Sequence, residues 1–458
     1  MITEINDMMR SRLSAKRVFS FLFPPFSFLF PHSSFLGTSF LGTILFLFAA
    51  CTAGGGQEDT KGFVTIKGHD LIQPNGEKLF IQGTNLGNWL NPEGYMFGFS
   101  RTNSAWMIDL LFKEAVGPDF TAEFWQQFKD NYVTKADIDF IASQGANTIR
   151  LPFNYKLFTD EDYMGETTKW KEEGEKWKVE AYERIDSVVS WCKANNLYLI
   201  LDMHDCPGGQ TGDNIDDGHG YPWLFESERS QQLFCDIWRE IADRYQNETT
   251  ILGYELMNEP IAHYFANKDS LYTLLQPLYK KAVKAIREVD QNHIILLGGA
   301  HWNSFFWMLD DASYDDKLMY TCHRYGGPAT KEAITHYINF RDSINRPMYM
   351  GEFGHNTDEW QRDFVNVLKE VNIGYTFWPY KKVDGSCMMG IQRPEGWDSI
   401  VVKYSETSRN TYQEWREARP EQARFRQLLM QFAENCRFEN CKPQTDYIQT
   451  MGMGKVKR

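Results

Sequence analysis

No CxxC pair and no closely spaced histidines accompany the 8 cysteines of this 458-residue chain, which excludes a zinc ribbon and a dense disulfide framework. Only Cys436 and Cys441 stand near enough in sequence to suggest a local bridge. Neither GxGxxG nor GxxxxGK(S/T) occurs, so the loops that cradle nucleotide phosphates are missing. The body of the chain carries no lysine or arginine block and the formal charge is -13. That excludes a nucleic-acid partner, whose phosphates demand a basic footprint. Paired histidines of the HxH kind are absent from the first strand, which disfavours a metal-dependent hydrolase. No internal repeat or low-complexity tract interrupts the body, and the apolar run from Phe40 to Ala50 is too short for a membrane span.

What the chain has in quantity is aromatic surface: 15% of residues, with 14 Trp and 22 Tyr. Most must serve the core, but the number exceeds what packing alone needs and suits stacking on sugar rings. An acidic protein is also compatible with a neutral polysaccharide partner.

Residues 1–51 read as an export segment and are set apart from the fold. A basic start (Arg10, Arg12, Lys16, Arg17) leads through Pro24 and Pro25 to the apolar run and then to FAAC, Phe48 to Cys51. This resembles a bacterial lipoprotein cleavage site with Cys51 as the lipidated residue, hence a possible membrane tether. The expected location is the outer membrane or cell surface, with a periplasmic or secreted protein as the alternative. Residues 52–61 read as a flexible tether, 62–440 as the catalytic domain and 441–458 as a C-terminal tail frayed at MGMGKVKR.

The body opens with short strands joined by a turn at Asn75-Gly76, a strong hairpin signal. Eight strand-like runs then alternate with amphipathic helices: Leu79 to Thr84, Asn147 to Leu151, Leu197 to Asp202, Ile251 to Met257, Ile294 to Leu297, Leu318 to Thr321, Met348 to Gly351 and Gly374 to Trp378. Eight such units predict an α/β fold, a (β/α)8 TIM barrel with an N-terminal β-hairpin and a C-terminal extra helix over Pro420 to Asn435. A doubly wound sheet also alternates strand and helix, but polar residues here follow many strands rather than one. Among the helices, Thr134 with Asp137 resembles a capping box, Ile138, Ile141 and Ala142 share a face, and Gly145 fits the stop. Tyr182, Ile185, Val188, Val189 and Cys192 recur at helical spacing.

Two glutamates follow short apolar runs: Glu259 in ILGYELMNEP and Glu352 in MYMGEFG. Strand interiors disfavour acids and an unpaired buried carboxylate is costly, so two of them at strand ends suggest a use for charge. In a parallel barrel the C-terminal rim is where such residues meet. The other strand ends supply Arg150, His204, Asn258, His323, Tyr325 and Trp378. Each alone has an ordinary reading: an ion-pair partner, a satisfied buried imidazole, a helix cap, a core aromatic. Independent structural uses would not gather on six rim positions.

With these residues in place, the chain resembles the family 5 glycoside hydrolases over Phe63 to Lys381, and GTNLGNWL (Gly83 to Leu90) is similar to that family's first-strand motif. The resemblance implies a retaining clan with acid/base on strand four, Glu259, and nucleophile on strand seven, Glu352. It also implies that Arg150, His204, Asn258, His323, Tyr325 and Trp378 support the substrate. No cofactor and no metal are implied, and a monomer is expected. HDCPGGQTGDNIDDGHGYPWLF (His204 to Phe225) and WPYKK resemble the exo-1,3-glucanase branch as much as the endoglucanases.

The chemistry has its own logic: carboxyls roughly 5 Å apart leave no room for water between nucleophile and sugar, so one attacks the anomeric carbon and configuration is retained. Arg150 with His323 or Tyr325 would stabilise charge on Glu352, and negative charge nearby would raise the pKa of Glu259. Asn258 would bind the sugar 2-hydroxyl and His204 another hydroxyl. Trp378 would form the floor, and Trp89, Tyr221, Trp223 and Trp302 are further candidate platforms.

The reading is a β-glycosidase of the cellulase or endo/exo-glucanase type acting on a β-linked oligo- or polysaccharide. A β-mannanase or glycolipid hydrolase of the same family is the alternative. A catalytically inactive surface carbohydrate-binding protein is the alternative of another class, disfavoured because both acids are retained. The Cys206 to Phe225 loop could block one end of a cleft, and its Asp213, Asp216 and Asp217 read as a solvated acidic loop more than a metal site.

Overall fold

The computed structural model describes residues 62–160, 177–216 and 218–454. Cys51, the export segment, the tether, Asp217 and the last four residues lie outside them. Eight parallel strands close a barrel: β1 (Gln82–Asn85), β2 (Thr148–Asn154), β3 (Tyr198–Asp205), β4 (Ile251–Glu255), β5 (Ile294–Gly298), β6 (Leu318–Arg324), β7 (Met348–Phe353) and β8 (Gly374–Phe377). They follow one another round the ring, and β8 returns to β1 through Tyr375↔Gln82, Thr376↔Gly83 and Phe377↔Thr84. The predicted (β/α)8 barrel is the observed fold.

Because side chains alternate along a strand, each strand divides its residues between two environments. On β3, Leu199, Leu201 and Met203 join the large core shared with the helices, while Tyr198 and Ile200 pack with Leu252, Ile294, Leu296, Met319 and Tyr349 inside the ring. Asp202 and His204 continue the inner face of β3 upward. The inside of the barrel is thus apolar below and polar toward the C-terminal ends of its strands.

The antiparallel strands Thr65–Lys67, Asp70–Ile72 and Lys78–Leu79 form the expected hairpin unit, and Val64, Leu71 and Leu79 cover the apolar inner layer from below. The helix Lys135–Ser143 starts on the predicted capping box, Thr134 N–H donating to Asp137 Oδ2 at 2.8 Å. The helix Val179–Ala194 buries Ile185, Val188, Val189 and Cys192 as its spacing predicts. The extra helix, Gln422–Asn435, buries Phe425, Leu428, Leu429 and Phe432. Phe432 stacks on Trp397 and meets Phe97 in an aromatic cluster that absorbs much of the aromatic content.

One expectation is corrected and one open question is answered. The tail is built into the domain through Gly454: Lys442–Pro443 pairs with Met389–Gly390, Met451 is buried, and Tyr375 Oη donates to the Met451 carbonyl at 2.8 Å. Cys436 and Cys441 are both free and buried, with Cys441 Sγ donating to the Asn435 carbonyl at 3.4 Å.

One buried ion pair was not foreseen. Lys381 Nζ lies 2.6 Å from Asp137 Oδ1 with both side chains fully buried, and it also donates to the carbonyls of Tyr132 and Cys436. Asp137 therefore caps a helix, accepts from Tyr380 Oη and neutralises the lysine that follows β8. Removing one partner strands the other's charge. Lys381→Met is expected to lower unfolding free energy by about 3–5 kcal/mol in urea melts, and the double variant with Asp137→Asn should recover part of that loss. A single-variant change within experimental error would show that the pair carries no such weight.

Candidate active site

At the centre of the polar layer sits Arg150, the third residue of β2, fully buried. Its Nε and Nη2 hold Glu255 at 3.1 and 2.7 Å, Nη2 also reaches Asp202 Oδ2 at 3.0 Å and Asn258 Oδ1 at 2.9 Å, and Nη1 donates to Asn85 Oδ1 at 3.0 Å and Glu352 Oε1 at 2.6 Å. Burial opposes charge on Arg150, but Asp202, Glu255 and Glu352 outweigh it and hold its pKa above the ordinary value. Tyr349 Oη adds a donor to Glu255. Burial pushes the Asp202 carboxyl up to about 7, against the pull of Arg150.

Glu352 is in β7, just past a register shift between Met350 and Glu352. Gly351 makes the turn inward possible: a Cβ there would lie 2.3 Å from Thr321 Oγ1 and 2.9 Å from His323 Nε2. Arg150 engages one oxygen of Glu352, and Tyr325 Oη donates to the other at 2.6 Å. Burial, with Glu352 and Glu259 adding, raises the Tyr325 phenol well above its usual pKa, so it remains a donor.

Glu259 arrives differently from the expected strand end. β4 stops at Glu255, and Glu259 lies in the loop beyond it with φ of 45°, a left-handed conformation; no helix begins until Lys268. The loop is held by Thr211 Oγ1 donating to the Glu259 carbonyl at 2.6 Å and Gln210 Nε2 to the Asn258 carbonyl at 2.9 Å. His323 Nδ1 stands 2.8 Å from Glu259 Oε1 and 3.6 Å from Glu352 Oε2. An oxygen of Glu259, an oxygen of Glu352 and a His323 nitrogen all lie within 4.8 Å of one another. That spacing could also hold a cation, but Arg150 and Tyr325 already engage both Glu352 oxygens.

Burial raises the Glu259 carboxyl to about 7; His204 and Arg150 oppose the shift, and Asp213 and Glu255 add to it. The expected direction holds, but desolvation is the larger cause rather than a neighbouring charge. Burial lowers both His204 and His323 to about 4, so both rings are neutral near neutral pH.

The structure gathers Arg150, Asn258, Glu259, His323, Tyr325 and Glu352 directly, with His204 and Trp378 behind them. His204 is almost fully buried, with Nδ1 2.8 Å from Asp202 Oδ2 and Nε2 3.3 Å from Asn258 Nδ2, which ties it to the same cluster. Trp378 is 3% exposed, lies parallel to His204 at 5.2 Å between ring centroids and donates to Tyr95 Oη. It lies beside His204 and presents little open face.

Among the four candidate platforms, Trp89 is a correction. It is 2% exposed and its indole N–H donates to the Lys129 carbonyl at 2.8 Å, because the loop after β1 turns it into the helix layer. Trp223 is exposed, Tyr221 and Trp302 are half-buried, and all three remain on rim loops. The expected solvated acidic loop is also corrected. Asp216 is buried and accepts the backbone N–H groups of Thr211, Gly212 and Gly218 at 2.6, 2.7 and 2.8 Å.

Sequence reasoning passed over Asp202, Glu255 and Glu93. The first two share strand parity with His204 and with the end of β4, a signal that alternation could have supplied. Glu93 is buried beyond β1, its carboxyl raised well above the usual range by burial, with Glu352 and Glu259 adding. Nothing in its local sequence marks it.

The family model for cellulase, glycosyl hydrolase family 5, matches residues 113–383, more than half of the chain. A β-xylosidase of Phanerodontia chrysosporium is 27% identical over 367 residues, 72% of this chain and 73% of its own. Endoglucanase C of Acetivibrio thermocellus is 30% identical over 322 residues, 57% of this chain and 88% of its own. A solved endogalactoceramidase shares the fold with a TM-score of 0.52 at 16% identity, covering 82% of this chain and 84% of its own. The match over this span, on a closed parallel barrel with two facing glutamates, makes the chain a member of glycosyl hydrolase family 5 and a glycoside hydrolase.

Proposed function

We propose that this enzyme is a retaining β-glycosidase of β-linked glucans, with Glu352 as nucleophile and Glu259 as acid/base. The observation that carries this reading is the short gap between the two acids, whose oxygens approach within 4.8 Å. Retaining pairs stand about 5–5.5 Å apart, whereas inverting pairs need roughly 6.5–9.5 Å to admit water.

Arg150 and Tyr325 neutralise and aim Glu352, which attacks the anomeric carbon as the glycosidic C–O bond breaks. Glu259, uncharged below about pH 7, gives its proton to the leaving oxygen. The charge on Glu352 disappears in the glycosyl ester, so Glu259 can then ionise and take a proton from the water that displaces Glu352. Asn258, oriented by Arg150 and His204, supplies an amide N–H for the 2-hydroxyl, a contact that strengthens as positive charge develops. Glu93, whose carboxyl burial raises well above the usual range with Glu352 and Glu259 adding, brings a third buried acid to the same site.

The loop Cys206–Phe225 supports a closed end to the cleft and thus exo action. It reaches the β1 side through Asn91 Nδ2 on the Ile215 carbonyl at 3.2 Å and the stacking of Trp106 on His219, and the β4 side through Tyr264 Oη on Asp213 at 3.0 Å. Names of relatives include both an endoglucanase and a β-xylosidase, which fits β-linked glycans as the substrate class. We further propose export with a lipid tether at Cys51, supported by the FAAC motif alone.

For the acid pair, Glu352→Gln should lose nearly all turnover while keeping its melting temperature. Glu259→Ala should slow poor leaving groups far more than activated aryl ones. Wild-type kcat/KM should fall as pH rises through about 7, where Glu259 loses its proton, and that limb should vanish in Glu259→Ala. Near-normal turnover in the first variant, or equal slowing of all leaving groups in the second, would overturn the assignment.

Product chromatography on β-glucan oligosaccharides tests the loop. The wild type should release one small product from chain ends, and Asp216→Ala, which unties three backbone N–H groups, should give mixed lengths. Mixed lengths from the wild type would refute exo action. For export, Cys51→Ala should move the protein from the membrane fraction to the soluble exported fraction; unchanged fractionation would refute the tether.

A further inference from the structure

The loop after β5 contains three consecutive non-glycine residues in the left-handed region: His301, Trp302 and Asn303 have φ of 56°, 54° and 57°. Side chains with a Cβ adopt this conformation at a cost, and three in a row persist only where the surroundings impose them. Here His301 N–H donates to the Ile261 carbonyl at 2.9 Å, Asn303 N–H to the Gly299 carbonyl at 3.1 Å and Phe305 N–H to the Ala300 carbonyl at 2.9 Å. The two glycines at the end of β5 make room. A Cβ at Gly298 would lie 2.0 Å from Asn303 Oδ1, and one at Gly299 would lie 2.4 Å from the Phe305 carbonyl oxygen.

The strained turn drives the Asn303 side chain, fully buried, across the top of β5 and against β6. Its Nδ2 lies 3.1 Å from His323 Nε2, and the opposite nitrogen of the same ring, Nδ1, lies 2.8 Å from Glu259 Oε1. An amide nitrogen only donates, and a neutral imidazole has one donor and one acceptor nitrogen. A donor at Nε2 therefore leaves the ring proton on Nδ1, directed at Glu259 Oε1. With Oε1 already accepting, the carboxylic proton of Glu259 belongs on Oε2.

We propose that Asn303 is a positioning residue for the acid/base step: it holds His323 in the Nδ1–H tautomer, so that the proton of Glu259 is kept on the oxygen free to serve the glycosidic bond. This rests on the reading of Glu259 as the acid. In the other tautomer Nδ1 would carry a lone pair, accept the Glu259 proton in a hydrogen bond and hold it away from the leaving group. His323 itself gains and loses no proton in either half-reaction; the proton passes from Glu259 to the leaving oxygen and returns from water.

The other charged or titratable groups around His323 and Glu259 include Glu352, Tyr325, Arg150, His204, Glu255, Asp213, Glu93, Asp202 and Tyr337. None of them touches Nε2, where a Cβ on Gly351 would come within 2.9 Å.

The test combines spectroscopy and kinetics. Long-range proton–nitrogen correlation spectra of the histidine-labelled wild type, with His323 assigned by its loss in His323→Gln, should show the Nδ1–H tautomer. Asn303→Asp offers Nε2 an acceptor instead of a donor and should move the ring to Nε2–H. That variant should lose on the order of 10²-fold in kcat/KM for aryl β-glucosides with poor leaving groups, but stay within about threefold for dinitrophenyl β-glucoside. An Nε2–H tautomer in the wild type would overturn the proposal without any variant. So would equal slowing of good and poor leaving groups in a folded Asn303→Asp enzyme whose Glu259→Ala counterpart still discriminates between them. If Glu259→Ala does not discriminate either, the acid assignment fails as well, so the two failures are distinguishable.

Discussion

A single buried guanidinium organises this active site. Arg150 has no access to solvent, and its charge is tolerable only because Asp202, Glu255 and Glu352 surround it and Asn85 and Asn258 take its remaining N–H groups. The converse also holds: three carboxylates inside a barrel would be prohibitive without a fixed cation among them. Arginine suits this position better than lysine, since its planar fork meets Glu255 with two nitrogens while a third holds Glu352. The barrel's polar upper layer, the aim of Glu352 and the placement of Asn258 all follow from this one side chain.

The two glutamates then differ because their neighbours differ. Glu352 sits within strand β7, with a guanidinium on one oxygen and a phenol on the other. Glu259 sits on a left-handed turn, away from the guanidinium, and receives the nitrogen of a neutral imidazole. Burial favours the uncharged form of the second, whereas the first is in direct contact with the Arg150 guanidinium. One residue type thus stands in two different environments a few ångströms apart, and the left-handed turn beyond β4 sets the position of Glu259.

Much of the fold was legible along the chain. Fully buried parallel strands read as short apolar runs, and runs such as YLIL and IILL alternate with helices whose apolar residues recur at three and four. The Asn75-Gly76 turn and the Thr134/Asp137 cap are local signals, decided within a few residues. The less visible features are long-range. Lys381 finds Asp137 only once the barrel has closed, the tail as far as Gly454 is packed with Met451 and Met453 buried, and Trp89 turns inward because Lys129 offers a carbonyl. Asp216 looks like a surface acid in sequence and is instead the knot of its loop, since three backbone N–H groups converge on it.

By itself the sequence determined the barrel, the rim and the pair of acids, because strand periodicity and the position of polar residues at strand ends are properties of consecutive residues. Tertiary structure alone decided the distance between the acids, which of them meets Arg150, the third buried carboxyl at Glu93, and the contact of Asn303 with His323. Those depend on a register shift in β7 and left-handed turns after β4 and β5, which bring together residues far apart in the chain. Proton location and charge are set by burial and by atoms a few ångströms away, and neither exists until the barrel closes.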